Sequence, residues 1–319
     1  MLSGLFIWLV FDRVSLKELK KIFISTDIIW IFASIIAFII GYTCRIERWR
    51  QMLLHENPDS KWGRCAGPFV SSFAINNVLP FRFGDILRAF AFNKKLGTTS
   101  GIVIATIFIE RMLDLLTILL VSVISIIIFG VEIYQFPTAG IVALIGFSVL
   151  VFMVLLFPNI ILPFVKIIGA IVIRIFPFFG DKLTMEIEKG VEIVKIMSKG
   201  SNMVKLGMWS MLAWFFEGCV FWFAAHAIPS IVKPVGAWLA MPIGTLATLI
   251  PSTPGYIGTF DYFTIKAMLG FGNSEVASTA YALLVHTMLW IPPTVVGGLY
   301  LFYNSAYLNN WRSRKNGRE

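Results

Sequence analysis

Two apolar stretches, residues 66–93 and 235–270, are each interrupted near the middle by residues that end helices. The first carries Leu79-Pro80-Phe81-Arg82-Phe83-Gly84-Asp85. The second carries Ile250-Pro251-Ser252-Thr253-Pro254-Gly255-Tyr256-Ile257-Gly258. Proline removes a helix donor and glycine accepts dihedrals that other residues avoid, so neither stretch continues as one straight helix. Pro80, Gly84, Pro251, Pro254, Gly255 and Gly258 are the expected break-makers. At membrane depth, irregular backbone is tolerated only where it is buried in protein or lines a cavity. The breaks therefore predict two helical hairpins that enter a bilayer and return on the side they came from.

A bilayer is the expected solvent, because 57% of the 319 residues are hydrophobic and 14% are charged, against about a quarter charged in soluble domains. Spanning needs about 20 apolar residues. Residues 28–44, 101–129, 137–157, 204–228 and 279–303 meet that need. Residues 2–11 form a short apolar run without a basic leader or a small-residue cleavage site, so they read as a short first span. The expected fold is all-α and polytopic, with about six spanning helices and two re-entrant hairpins. The net charge of +9 sits at the edges of apolar runs, where cytoplasmic loops place it, and is not a nucleic-acid footprint. Cys44, Cys65 and Cys219 have neither metal-binding nor redox spacing.

Basic residues orient the chain. Arg45, Arg48, Arg50, Lys61 and Arg64 precede the first broken stretch, and Lys94 and Lys95 follow it. The loops around the second are weakly charged. The positive-inside rule makes the first a cytoplasmic hairpin, the second an outer one, and the tail with Arg312, Arg314, Lys315 and Arg318 cytoplasmic. Arg13, Lys17, Lys20 and Lys21 conflict with this scheme, falling in a loop it places outside. Gly84 and Gly255 each follow a proline by four residues, and 109–114 aligns with 285–290. The chain thus divides into two membrane halves, 1–130 and 131–303, with a linker at 158–203 and a tail at 304–319. Opposite senses of the two halves make an inverted repeat, a plan that puts a substrate site at the repeat interface.

Ionisable residues inside apolar runs face a cavity or a partner. Arg82, Asp85 and Arg88 occupy the first hairpin, with Asp85 and Arg88 on one helix face. Guanidiniums beside the free N–H groups of a returning helix suit a phosphate; alternatively these arginines anchor the hairpin at the headgroups. Glu110, Arg111 and Asp114 form a polar cluster on the next span, either binding substrate or locking that helix against the hairpin. Glu217 has no local counter-ion and calls for an arginine on another segment, a neutral carboxyl, or a proton-coupling role. His286 occupies the repeat position of Glu110 and reads first as a hydrogen-bonded core residue. Asp261 either caps the returning helix of the second hairpin or lines the cavity. Metalloprotease, serine-hydrolase, nucleotide-loop and Asp-rich diphosphate motifs do not occur.

Four motifs in order carry a resemblance to a known family. They are Arg45-x-x-Arg48-Trp49-Arg50, then Asn77-x-Leu79-Pro80-x-Arg82-x-Gly84-Asp85-x-x-Arg88, then Glu110-Arg111-x-x-Asp114, then Pro251-x-x-Pro254-Gly255-x-x-Gly258-Thr259-x-Asp261. The chain resembles the transmembrane region of lysylphosphatidylglycerol synthase, the flippase-like domain family, over roughly residues 28–303. Asp261 stands where the family more often has Glu, and His286 near a position where it often has Arg. The resemblance implies movement of lipids between leaflets. The chain ends at Glu319 without the aminoacyl-transferase domain of the two-part synthases, so a stand-alone, non-enzymatic translocator is expected.

On that expectation Arg82, Arg88 and Arg111 meet a headgroup phosphate, while Asp85, Glu110 and Asp114 complete the site. Arg48, Glu217, Asp261 and His286 are further candidates. No metal or other cofactor is expected. Partners would be anionic phospholipids or polyprenyl-linked glycolipids, and a separately encoded glycosyltransferase or lipid-modifying enzyme. The alternatives are a membrane-embedded enzyme acting on a lipid phosphate, and a non-catalytic subunit of an envelope-lipid biosynthesis complex.

Overall fold

The computed structural model describes residues 14–129, 138–160, 180–250 and 253–304 continuously, with isolated positions elsewhere. The described residues are helical, with no strand among them. Helix α1, Leu16–Ile24, is short and amphipathic, with Lys17, Lys20 and Lys21 exposed. Helix α2, Ile28–Leu53, starts where the Asp27 carboxylate accepts from the Ile29 N–H at 2.9 Å, which satisfies an orphan donor of the first turn.

Helix α3, Trp62–Val78, stops at Leu79, because a residue before proline is pushed to extended dihedrals; Leu79 has φ −108° and ψ 143°. A single turn, Pro80–Arg82, precedes α4, Phe83–Ala91, and a one-turn helix, Asn93–Leu96, follows. Next come α5, Ser100–Phe129, and α6, Thr138–Leu156. Then follow α7, Gly180–Met197, and α8, Gly200–Ala227. Helix α9, Ala237–Ala247, leads through the turn Pro254–Tyr256 into α10, Thr259–Gly270. Helix α11, Glu275–Tyr303, is the last helix among the described residues.

Four helices are long and apolar enough to cross a membrane: α2, α5 (counted over Ser100–Ile128), α8 and α11. The run at 137–157 is present as α6, whose apolar part Val142–Leu156 is shorter than those four. Most of the run at 2–11 lies outside the described residues, as does Pro251.

Helices α2 and α8 lie antiparallel. The Asp27 N–H donates to Ala227 O at 2.8 Å and the Ser34 hydroxyl to Val220 O at 2.8 Å. The pairing pattern repeats along the chain: α3 packs on α4 as α9 packs on α10, and α3 meets α11 as α9 meets α5. One end of the bundle is tied where the Asn57 amide donates to Leu96 O at 2.9 Å and Lys95 reaches the Tyr300 hydroxyl. The other is tied where Asn273 Oδ1 accepts from the N–H groups of Val232 and Lys233. Between these ends the C-terminus of α3 meets α11 and the second break: the Asn77 amide donates to the Thr294 hydroxyl of α11 at 2.8 Å, the Trp290 indole N–H donates to Asn77 O at 3.3 Å, and a Cβ on Gly255 would stand 3.3 Å from the same oxygen.

Gly84 is not where the first break lies. The left-handed residues there are Phe81 (φ 58°) and Arg82 (φ 53°), dihedrals that non-glycine residues seldom adopt. Gly84 lies in the first turn of α4 and lets it touch α3, since a Cβ there would stand 1.8 Å from Ser72 O. Gly84→Val should cost about 1–3 kcal/mol through overpacking. The check is thermal denaturation in detergent followed by size-exclusion chromatography; an unchanged midpoint would mean that α3 and α4 are not packed this closely. In the second break the left-handed dihedrals fall on Gly255 (φ 72°), Tyr256 (φ 60°) and Gly258 (φ 91°), and the two glycines adopt them without a Cβ penalty.

Candidate functional site

The two breaks border one cavity of about 340 Å³. Arg82 comes from the first, Gly255 and Tyr256 from the second. Helices α2, α3, α5, α8, α9, α10 and α11 supply most of the remaining walls, largely apolar and aromatic side chains such as Phe38, Phe73, Trp214, Phe260 and Trp290. Among the described residues the charged or titratable lining groups are Tyr42, Arg45, Arg82, Arg111, Asp114, Glu217, Tyr256 and His286.

Most of this charge is locked in one network. Asp114 accepts from Arg48 at 2.8 Å and from the Trp214 indole at 3.0 Å, and also faces Arg45 and Arg111, each at 3.7 Å. Arg45 pairs with Glu217 at 3.1 Å and lies 4.5 Å from the centroid of the Trp214 ring. Arg111 pairs with Asp85 at 3.1 Å and approaches Glu110 at 3.5 Å. Arg88 makes a two-pronged pair with Glu110, both contacts 3.2 Å, and lies against the rings of Trp49 and Phe69. Four guanidiniums thus face four carboxylates. Buried charges persist only when paired and hydrogen-bonded in this way.

The candidates from sequence therefore separate into wall and scaffold. Arg82, Arg111, Asp114, Glu217 and His286 line the cavity. Arg48, Arg88 and Glu110 are fully buried and Asp85 mostly so, and none of the four lines it. Arg88, expected to meet a phosphate with Arg82, lies a turn and a half further along α4, where the ring faces and Glu110 enclose it. Arg82 is half-buried and, among the described residues, makes no ion pair. The α5 cluster locks that helix to α4 through Arg111 and Asp85. Glu217 has the arginine partner on another segment that its isolation called for.

Asp261 caps α10, with Oδ2 accepting from the Gly258 N–H at 2.9 Å, and does not line the cavity. Its Oδ1 lies 2.7 Å from His286 Nδ1, and His286 Nε2 lies 2.8 Å from Gly255 O. Sequence reasoning passed over Arg45 as a site residue, although Glu217 lacked a counter-ion and Arg45 shares a helix face with Arg48. It also missed Asn76, whose Oδ1 accepts from the Gly84 N–H at 2.8 Å and whose amide donates to Asp85 at 3.2 Å. Among the described residues no three His, Cys, Asp or Glu side chains gather to hold a metal ion.

A family model described as the lysylphosphatidylglycerol synthase TM region matches residues 1–297. The chain is also similar to two proteins of Methanocaldococcus jannaschii. It is 25% identical to the UPF0104 membrane protein MJ1078 over 229 residues, covering 72% of this chain and 93% of that one. It is 19% identical to the UPF0104 membrane protein MJ1595 over 305 residues, covering 93% and 91%.

Proposed function

Because the chain belongs to the lysylphosphatidylglycerol synthase transmembrane-region family, we propose that it moves a phosphate-bearing lipid headgroup between leaflets through the cavity at its centre. The protein is a multi-pass membrane protein. The observation that carries the proposal is Arg82: a half-buried cavity-wall guanidinium without an ion pair among the described residues, beside a network whose other charges are matched. A guanidinium offers a phosphate a planar fork of donors. Arg45 and Arg111 add positive wall, held in place by Glu217, Asp85 and Asp114.

In this reading the pairs α3–α4 and α9–α10 are re-entrant hairpins of two inverted halves, 1–130 and 131–303, within about six spans. Their tips supply backbone to the cavity at mid-depth. Lys61, Arg64, Lys94 and Lys95 put the mouth of the first hairpin in the cytoplasm of a plasma-membrane protein, along with the basic tail. The acyl or prenyl tails stay in lipid beside exposed apolar residues near the breaks, such as Phe81, Leu249 and Ile257. Passage of the headgroup requires no covalent chemistry.

Purified protein in proteoliposomes tests this with a panel of labelled phospholipids and polyprenyl phosphates. Arg82→Ala should slow translocation of the preferred anionic lipid about tenfold, the effect of losing about 1.4 kcal/mol of binding, while leaving the thermal midpoint unchanged. The proposal fails if no lipid changes leaflet faster than in empty vesicles. It also fails if mass spectrometry shows the lipid chemically converted.

A further inference from the structure

Both ring nitrogens of His286 face acceptors: Asp261 Oδ1 at 2.7 Å and the carbonyl oxygen of Gly255 at 2.8 Å. A carbonyl oxygen cannot donate, so Nε2 must carry hydrogen. An ionised carboxylate cannot donate either, so Nδ1 carries one too unless the proton sits on Asp261. Either way the pair holds one proton more than a neutral imidazole beside an ionised aspartate. We infer that His286 and Asp261 form a proton-binding site at the cavity whose occupancy latches the second break to α11 and couples headgroup passage to that proton.

When the proton leaves to water in the cavity, one ring hydrogen remains. The carboxylate is the stronger acceptor, so that hydrogen stays on Nδ1. Nε2 then turns a lone pair toward the Gly255 oxygen, and the contact becomes repulsive. The released segment lies between Gly255 and Gly258, both in the left-handed region, where glycine permits rearrangement. The cap on α10 survives, because Asp261 Oδ2 still accepts from the Gly258 N–H. The proton therefore governs the break and not the start of the helix.

The surroundings leave this pair as a discrete titrating unit. Charged groups sharing the cavity are Arg45 from α2, Arg82 from the first break, Arg111 and Asp114 from α5, and Glu217 from α8. All but Arg82 are ion-paired within the network. Tyr42 and Tyr256 are the other titratable lining groups, while α3 and α9 present only uncharged side chains to the cavity. The Phe260 ring meets the imidazole in a T-shaped contact, with centroids 5.0 Å apart.

Hydrogen exchange on the full-length protein in nanodiscs, from about pH 5 to about pH 9 and corrected for intrinsic rates, tests the latch across and above the imidazole range. Amides of residues 255–257 should lose protection roughly tenfold as pH rises, as a contact of about 1.4 kcal/mol is released, while the Gly258 amide stays protected by its cap. In Asp261→Asn the new amide can donate to Nδ1 while its oxygen keeps the Gly258 cap. A neutral imidazole then satisfies every contact, and protection should persist at all pH values. His286→Gln removes the titrating ring and should flatten the profile as well, so either variant suffices if the other does not fold. A flat wild-type profile, or a pH step that survives in the folded variants, overturns the proton site.

The coupling, unlike the latch, rests on the cavity being the lipid path. In proteoliposomes an imposed pH gradient should change wild-type translocation several-fold and leave Asp261→Asn indifferent. A wild-type rate blind to the gradient overturns the coupling. Absence of translocation altogether overturns the proposed function and the coupling together, with the latch still judged by exchange.

Discussion

Asp114→Ala is expected to abolish recovery of folded protein. This carboxylate faces Arg48, Arg45 and Arg111 and accepts the Trp214 indole hydrogen. Arg45 and Arg111 keep Glu217 and Asp85 after its loss. Arg48 keeps only the Ser210 hydroxyl, at 2.7 Å, and it is wholly buried. Leaving one buried charge without its partner costs about 3–5 kcal/mol, a large part of the roughly 5–15 kcal/mol that holds a domain together. Fluorescence-detected size-exclusion chromatography of membrane extracts reads the outcome. The variant should elute as aggregate, while Asp114→Ala combined with Arg48→Met should regain a monodisperse peak. A wild-type profile for the single variant would mean that the network does not carry this load.

These pairings explain which parts of the site were legible in the sequence. A charge inside an apolar run is anomalous wherever it stands, so Arg82, Glu110, Arg111 and Asp114 announced themselves. Contacts within a helix also followed from spacing: Asp85 faces Arg88 at 3.8 Å and Arg111 faces Asp114 at 3.7 Å, both three residues apart. Contacts between helices did not. Asp114 reaches Arg48 across 66 residues and Glu217 reaches Arg45 across 172, and no local pattern encodes such distances. The isolation of Glu217 predicted an arginine on another segment without saying which.

The breaks show the same limit. Pro80 marks the end of α3 through steric restriction of Leu79, a local effect. The left-handed dihedrals fall on Phe81 and Arg82, which have no intrinsic preference for them; surrounding structure imposes them, and such positions concentrate at functional sites. Gly84 looked like part of the break because glycine permits bends. Its role is instead the close crossing of α3 and α4, a tertiary requirement that leaves the same mark in the sequence.

Arg82 and Arg88 were equivalent candidates on sequence, and substitution should separate them. Arg88→Ala should behave like Asp114→Ala, because Glu110 is fully buried and takes both of its contacts at 3.2 Å from Arg88. Arg111, at 3.5 Å, is already engaged with Asp85 and cannot fully replace them. The expected loss is again about 3–5 kcal/mol. Removing both charges reverses the expectation: Arg88→Met with Glu110→Gln leaves an apolar chain between the Trp49 and Phe69 rings and a neutral amide opposite it. Replacement of a whole buried pair by well-packed neutral groups is often neutral or stabilising, so the double variant should match the wild-type thermal midpoint. It should also translocate lipid at close to the wild-type rate if Arg88 serves only as scaffold. A double variant that is stable but as slow as Arg82→Ala would place Arg88 at the headgroup after all, and would mean that α4 moves during transport to bring it into the cavity.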